Sequence, residues 1–164
     1  MRFAILAIAF AVAAVPSASA ASPAARCHTS QLAASLSAGS PGAGQRYALL
    51  SLRNRSRQTC RVFGYAGLQL LDSKRRKLPT NVVRERAKAP RRIVLAPGRR
   101  TRALLHWAVV PGVGEPQAGA CEPAPRWVEV TPPDEQAFLL IPWRFGAVCQ
   151  RGRIDITPFG RTVL

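Results

Sequence analysis

The chain predicts an all-β sandwich braced by two disulfides. Three observations carry that expectation: short apolar runs recur between turn residues, 14 prolines are scattered along 164 residues, and 4 cysteines follow an N-terminal stretch built like an export signal. Prolines at that density leave little room for long helices, and oxidised cysteines suit a compartment outside the cytoplasm.

The N-terminus is read first. Arg2 supplies a basic start, Phe3 to Val15 an apolar stretch, and Ala18-Ser19-Ala20 a small-residue exit, which together form the three parts of a secretory signal with cleavage expected after Ala20. The apolar stretch falls short of the roughly 20 residues that cross a bilayer as a helix, so no permanent anchor is expected. Arg26 stands where an acylated lipoprotein needs a small residue before Cys27. The expected organisation is a signal over residues 1–20, a small-residue disordered leader over 21–26, and a single domain over 27–164.

Within the domain, one short helical segment is expected near Ser30 to Ser37, where Thr29 or Ser30 offers a cap. Strands are expected at Arg46 to Arg53, Thr59 to Phe63, Leu68 to Leu71, Arg92 to Ala96, Thr101 to Val110, Arg126 to Thr131, Ala137 to Trp143 and Arg153 to Thr157. The last of these alternates cleanly: Arg153, Asp155 and Thr157 face out while Ile154 and Ile156 face in. Val128 and Val130 repeat that pattern. Thr101 to Val110 is apolar on both faces and reads as a central strand, with His106 as a satisfied, packed side chain. The connections carry turn residues, among them Asn54-Arg55-Ser56, Gly64 to Gly67, Pro97-Gly98, Pro111-Gly112 and Pro132-Pro133-Asp134. Asn54-Arg55-Ser56 also matches a glycosylation sequon, but the turn role is preferred. Pro111 to Pro125 is long for a connection inside a sandwich, and Glu115 and Cys121 mark it as a surface loop pinned at one end.

Cys27, Cys60, Cys121 and Cys149 can pair in three ways, and sequence alone does not choose among them. Sequential pairing, Cys27 with Cys60 and Cys121 with Cys149, is favoured because it closes moderate loops and ties each chain end to a neighbouring strand. Each bridge would stabilise by roughly 3 to 4 kcal/mol in the chain-entropy picture. A zinc site is the competing reading. It is disfavoured because no two cysteines stand in a close pair and the only histidines, His28 and His106, are far apart. No metal and no cofactor is expected.

Recognisable catalytic patterns are missing: no Gly-x-Ser-x-Gly elbow, no Ser-x-x-Lys, no His-Glu-x-x-His and no phosphate-cradling glycine loop. The glycine cluster from Gly39 to Gly44 precedes a strand, carries no lysine, and reads as a connection. Asp72, Glu85, Asp134 and Glu135 fall beside turns or charged runs, where solvated surface explains them. No catalytic residue is assigned, and the chain is read as a non-enzyme.

Charge is the unusual feature. The chain carries 24 lysines and arginines against 8 acids, a formal net charge of +16. Lys74, Arg75, Arg76, Lys77, Arg84, Arg86, Lys88, Arg91 and Arg92 crowd into one stretch and form the candidate anion-binding set. If Arg84 to Lys88 is extended, Arg84, Arg86 and Lys88 point to one face as a positive ridge, since side chains alternate along a strand. The run holds no aromatic residue on which bases would stack, so nucleic acid is disfavoured as a partner. Anionic envelope polymers or lipid headgroups fit an exported protein better. The bland reading, that arginine-rich loops are composition and solvation alone, stands beside it.

Residues around Gly64-Tyr65-Ala66-Gly67 carry a resemblance. Gly44-Gln45 leads into the strand Tyr47 to Leu52; Asn54 and Ser56 follow; Cys60 lies four residues before Gly64-Tyr65; Leu68 and Leu70 precede Asp72; Pro97-Gly98 precedes the strand with Trp107; Pro132-Pro133 and Cys149 with Gly152 come last. In that order the chain resembles the bacterial exported domain-of-unknown-function family four-two-three-two, an immunoglobulin-like sandwich. Ala66 stands where the family usually has proline. The resemblance implies a fold and an exported address, and no activity.

The functional expectation is an exported, non-enzymatic sandwich that binds anionic envelope components through its basic loops. The alternatives are an accessory module that meets a protein partner at a sheet edge or the Pro111 to Pro125 loop, and a hydrolase whose site groups His28 or His106 with an acid and a nucleophile.

Overall fold

The computed structural model describes residues 23–160. The expected signal therefore lies outside the described residues. Ten strands follow one another: β1 (Leu32–Ala38), β2 (Gln45–Asn54), β3 (Cys60–Val62), β4 (Gly67–Leu71), β5 (Asn81–Arg84), β6 (Ile93–Leu95), β7 (Arg100–Ala108), β8 (Trp127–Thr131), β9 (Leu139–Pro142) and β10 (Arg153–Ile156). They form a five-stranded sheet in the order β1-β2-β7-β10-β5, a three-stranded sheet β4-β8-β9, and a two-stranded pair β3-β6. All pairings are antiparallel except that of β10 with β5. This is an all-β sandwich.

Period-two alternation builds its core. Ala48, Leu50 and Leu52 of β2, Ala103, Leu105 and Trp107 of β7, and Ile154 and Ile156 of β10 are buried on one face of the large sheet. They belong to one core with Val62, Leu70, Leu95, Val128 and Val130 of the other strands. Central position and double pairing explain why β7 is apolar on both faces: Leu104 and His106 on its other side are half-buried. His106 stacks on Tyr47 of β2 at 4.7 Å, packed as expected, but its Nε2 is buried without a hydrogen-bond partner among the described residues, so the expectation of a satisfied side chain is corrected.

Both disulfides take the sequential pairing, Cys27 to Cys60 and Cys121 to Cys149, and no cysteine is free among the described residues. Cys27 donates its backbone N–H to Arg61, so the first bridge joins adjacent stretches of backbone. Glu115 and Cys121 anchor the long Pro111 to Pro125 loop at two points, one more than expected.

Three further expectations need correction. The segment from Ser30 to Ser37 is not a helix: a single 3-10 turn at Thr29–Gln31 is followed by β1, paired with β2 from Leu32↔Asn54 to Ala38↔Ala48. Alanine and leucine favour helix locally, but Leu32, Ala34 and Leu36 alternate with exposed Ala33, Ser35 and Ser37, and pairing with a neighbouring strand prevails. The leader is ordered in part, because Ala24 and Ala25 accept hydrogen bonds from the side chain and backbone of Arg61. The ridge from Arg84 to Lys88 does not form. β5 starts earlier, at Asn81, and ends at Arg84, where the neighbouring β10 ends too.

The Asn54 turn is settled by burial. Its side-chain amide donates to the carbonyls of Gln58 at 2.7 Å and Leu95 at 2.9 Å, while its oxygen accepts from Ser56. Asn54 is fully buried, as a turn residue and not as a glycan acceptor.

Candidate anion-binding groove

The nine basic candidates separate into two groups at opposite ends of β5, which four residues make about 10 Å long. The first follows β4. Asp72 accepts the backbone N–H groups of Lys74 and Arg76 and pairs with the Arg76 guanidinium at 2.7 Å. The Arg76 backbone bond, then its side chain and the Lys74 bond, hold the Asp72 carboxyl below its ordinary range. Arg76 is thereby neutralised. The turn places Arg75, at φ 61°, with its guanidinium 5.3 Å from the ring centre of Trp127. Lys74 and Lys77 are exposed.

The second group surrounds a groove. At the end of β5, Glu85 donates its backbone N–H to Ile156 and its carbonyl accepts the Tyr65 hydroxyl at 2.7 Å, while the Arg84 guanidinium lies 5.5 Å from the Tyr65 ring centre. From there residues 85–92 cross from the large sheet to β6. Beyond β10, Thr157 donates to Leu104, Phe159 to Gly64 and Gly160 to Arg102, which stitches this tail to both layers. Between the crossing loop and the tail lies a groove of about 820 Å³.

Ile93, Leu104, Pro158 and Phe159 line its apolar part, of which only Ile93 and Leu104 are half-exposed and Pro158 and Phe159 are buried, and Lys88, Arg91 and Arg92 line its basic part. Glu85 is the one acid that lines it. None of the three cations forms a salt bridge among the described residues. Unpaired cations beside unfilled apolar surface are the condition under which an anion with an apolar portion gains most on binding. Arg86 is exposed on the loop but does not line the groove.

Other chemistry-bearing groups are engaged structurally. Glu135 accepts the backbone N–H and hydroxyl of Thr29 and pairs with His28 at 3.2 Å and Arg26 at 3.5 Å. The Thr29 backbone bond is the main cause that holds its carboxyl below the ordinary value. His28, Glu135 and Thr29 thus meet, with the Thr29 hydroxyl within hydrogen-bond distance of both the carboxylate and the Ala137 carbonyl and Thr29 itself buried. Glu115 lies with Cys121 and Cys149, ligand atoms within 4.8 Å of one another, yet both sulfurs are consumed in a disulfide.

Fold and groove are built from residues spread over most of the chain, and a single family model spans the same stretch: Domain of unknown function (DUF4232) matches residues 27–160. The chain belongs to that family. The DUF4232 match begins at Cys27 and includes both disulfides, the groove and the Glu115 loop. No curated protein and no solved structure matches the chain.

The apolar part of the groove was invisible in the sequence. Leu104 and Phe159 look like ordinary strand and tail residues, and only the crossing of loop 85–92 brings Lys88, Arg91 and Arg92 over them. The run of nine cations was legible; its division was not.

Proposed function

We propose that this DUF4232 domain is an exported, non-enzymatic module that binds anionic components of the cell envelope through its basic loops. One observation carries the reading: Lys88, Arg91 and Arg92 converge on a groove in which no carboxylate among the described residues pairs with them. Export, cleavage after Ala20 and an immunoglobulin-like strand layout belong to the same proposal. The two disulfides support the oxidising address, and no described helix is long and apolar enough to cross a membrane.

The test is retention on vesicles containing anionic lipid, or on envelope fractions, at increasing salt. Binding strong at low salt and lost at high salt is the expected result, since exposed cations are screened within about 10 Å at 0.1 M salt. Weak retention that does not change with salt removes the reading.

A protein-contact role is the second reading, and β1 favours it. This edge strand of seven residues carries no charge in a chain of net +16. Uncharged edges accept added strands readily. Co-purification of a specific partner that survives charge reversal at Lys74 and Lys77 would favour it over anion binding.

A further inference from the structure

The geometry points to one occupant for the groove: a single amphiphile, with an anionic phosphate-type head held by Lys88, Arg91 and Arg92 and the first part of its hydrocarbon chain on Ile93 and Leu104. This rests on the anion-binding reading and narrows it from a charged surface to a built site.

Two features separate this occupant from a hydrophilic polyanion. A polymer of charged sugars or phosphates would satisfy the cations but leave the side chains of Ile93 and Leu104 facing polar atoms, whereas a lipid chain removes that apolar surface from water. Size agrees as well, since about 820 Å³ falls within the range of small-ligand sites.

The crossing loop is free to adapt to a ligand. It is tied at Glu85 by two hydrogen bonds and at Ile93 by the β3-β6 pair, while residues 86–92 make no hydrogen bond among the described residues. Closing this loop over a lipid head would therefore break nothing that holds the sandwich together. Glu85 works in the opposite sense to the three cations. Its carboxylate lies on the groove without a cationic partner among the described residues and repels a second negative charge on the ligand.

Calorimetric titration of the full mature chain tests this, with dihexanoyl phosphatidic acid below its micelle-forming concentration as the probe. Glycerol 3-phosphate and dihexanoyl phosphatidylcholine serve as the head-only and zwitterionic comparisons. The expected result is saturable binding of the phosphatidic acid, about tenfold tighter than either comparison, weakened about tenfold by the R91E/R92E pair and strengthened by E85Q. Thermal melting of each variant shows that it is folded. Equal binding of glycerol 3-phosphate would mean a plain phosphate site, and equal binding of phosphatidylcholine a plain apolar one; either overturns the proposal. Absence of binding to soluble lipid while vesicle retention stays salt-dependent overturns the single-lipid site and leaves the surface reading standing. Loss of both removes both.

Discussion

The carboxylate of Glu115 accepts the backbone N–H of Arg151 at 2.6 Å, bridging 36 residues of chain. Its other oxygen accepts the N–H of Gly112 at the same distance. Gln150, Arg151 and Gly152 follow Cys149 with positive φ, 57°, 57° and 73°, so this turn is left-handed and its N–H groups converge. Convergent N–H groups form an anion-binding concavity, and here the protein fills it with its own acid. The long loop after β7 is fastened to the start of β10 in this way, next to the disulfide from Cys121 to Cys149.

Replacing Glu115 with glutamine should lower Tm by about 5 °C in a domain of this size, because the turn keeps its strained backbone and loses the charge that satisfies it. The E115Q variant checked by thermal circular dichroism should remain β-rich. An unchanged Tm would show that the disulfide alone holds the loop.

Acid should destabilise the protein through the same group. Glu115 and Glu135 are both held below the ordinary value of 4.5, chiefly by backbone N–H groups of Gly112 and Arg151 for the first and of Thr29 for the second. A carboxylate whose folded value is lowered binds fewer protons folded than unfolded, so its stabilisation is present above the unfolded value and is lost as pH falls through the folded one. Melting temperatures measured from pH 6 downwards should therefore hold steady until about pH 4.5 and then decline. The decline should be shallower in E115Q.

Gly152 should tolerate no side chain. A Cβ there would lie 1.9 Å from the Pro79 carbonyl oxygen, on a backbone at φ +73°. G152A combines a backbone clash with left-handed strain and should cost about 3 kcal/mol or more, read by denaturant unfolding or by loss of soluble protein.

Removing the buried amide of Asn54 takes a buried donor from the Leu95 carbonyl, while the Ser56 hydroxyl and the Gln58 carbonyl keep their bond to each other. N54A should destabilise by about 2 kcal/mol or more. S56A, which leaves the two carbonyl contacts in place, should do less.

The C27S/C60S pair should lose roughly 3 to 4 kcal/mol by releasing a closed loop in the unfolded chain. Non-reducing mass mapping of the unaltered protein checks the frame directly, and any linkage other than Cys27–Cys60 and Cys121–Cys149 would contradict it.

Much of the fold was legible because its signals are local. Ile154 and Ile156, or Val128 and Val130, announce which way a strand faces within five residues. Burial of one sheet face imposes that spacing wherever the strand ends up. β1 was missed although Leu32, Ala34 and Leu36 carry the same alternation, since small residues also satisfy a helix and only β2 beside it decides. β5 was missed for a related reason: Asn81 to Arg84 is half-exposed at a sheet edge and pairs in parallel with a strand about 70 residues later.

The candidate site was legible as composition and not as shape. Nine cations were apparent, but their sorting depended on where each chain reversal fell. Asp72 withdraws Arg76 into a turn, β5 carries the chain away, and the loop after Glu85 brings Lys88, Arg91 and Arg92 together over Leu104 and Phe159. The amino-acid sequence alone determined a β-rich chain, its inward and outward residues, and an even set of cysteines, because these follow from the two-residue period of a strand and from residue type. Tertiary structure alone decided which strands are neighbours, that Glu115 answers the Arg151 turn, and that three cations share an apolar groove. Those relations join residues tens of positions apart, and no local propensity encodes them.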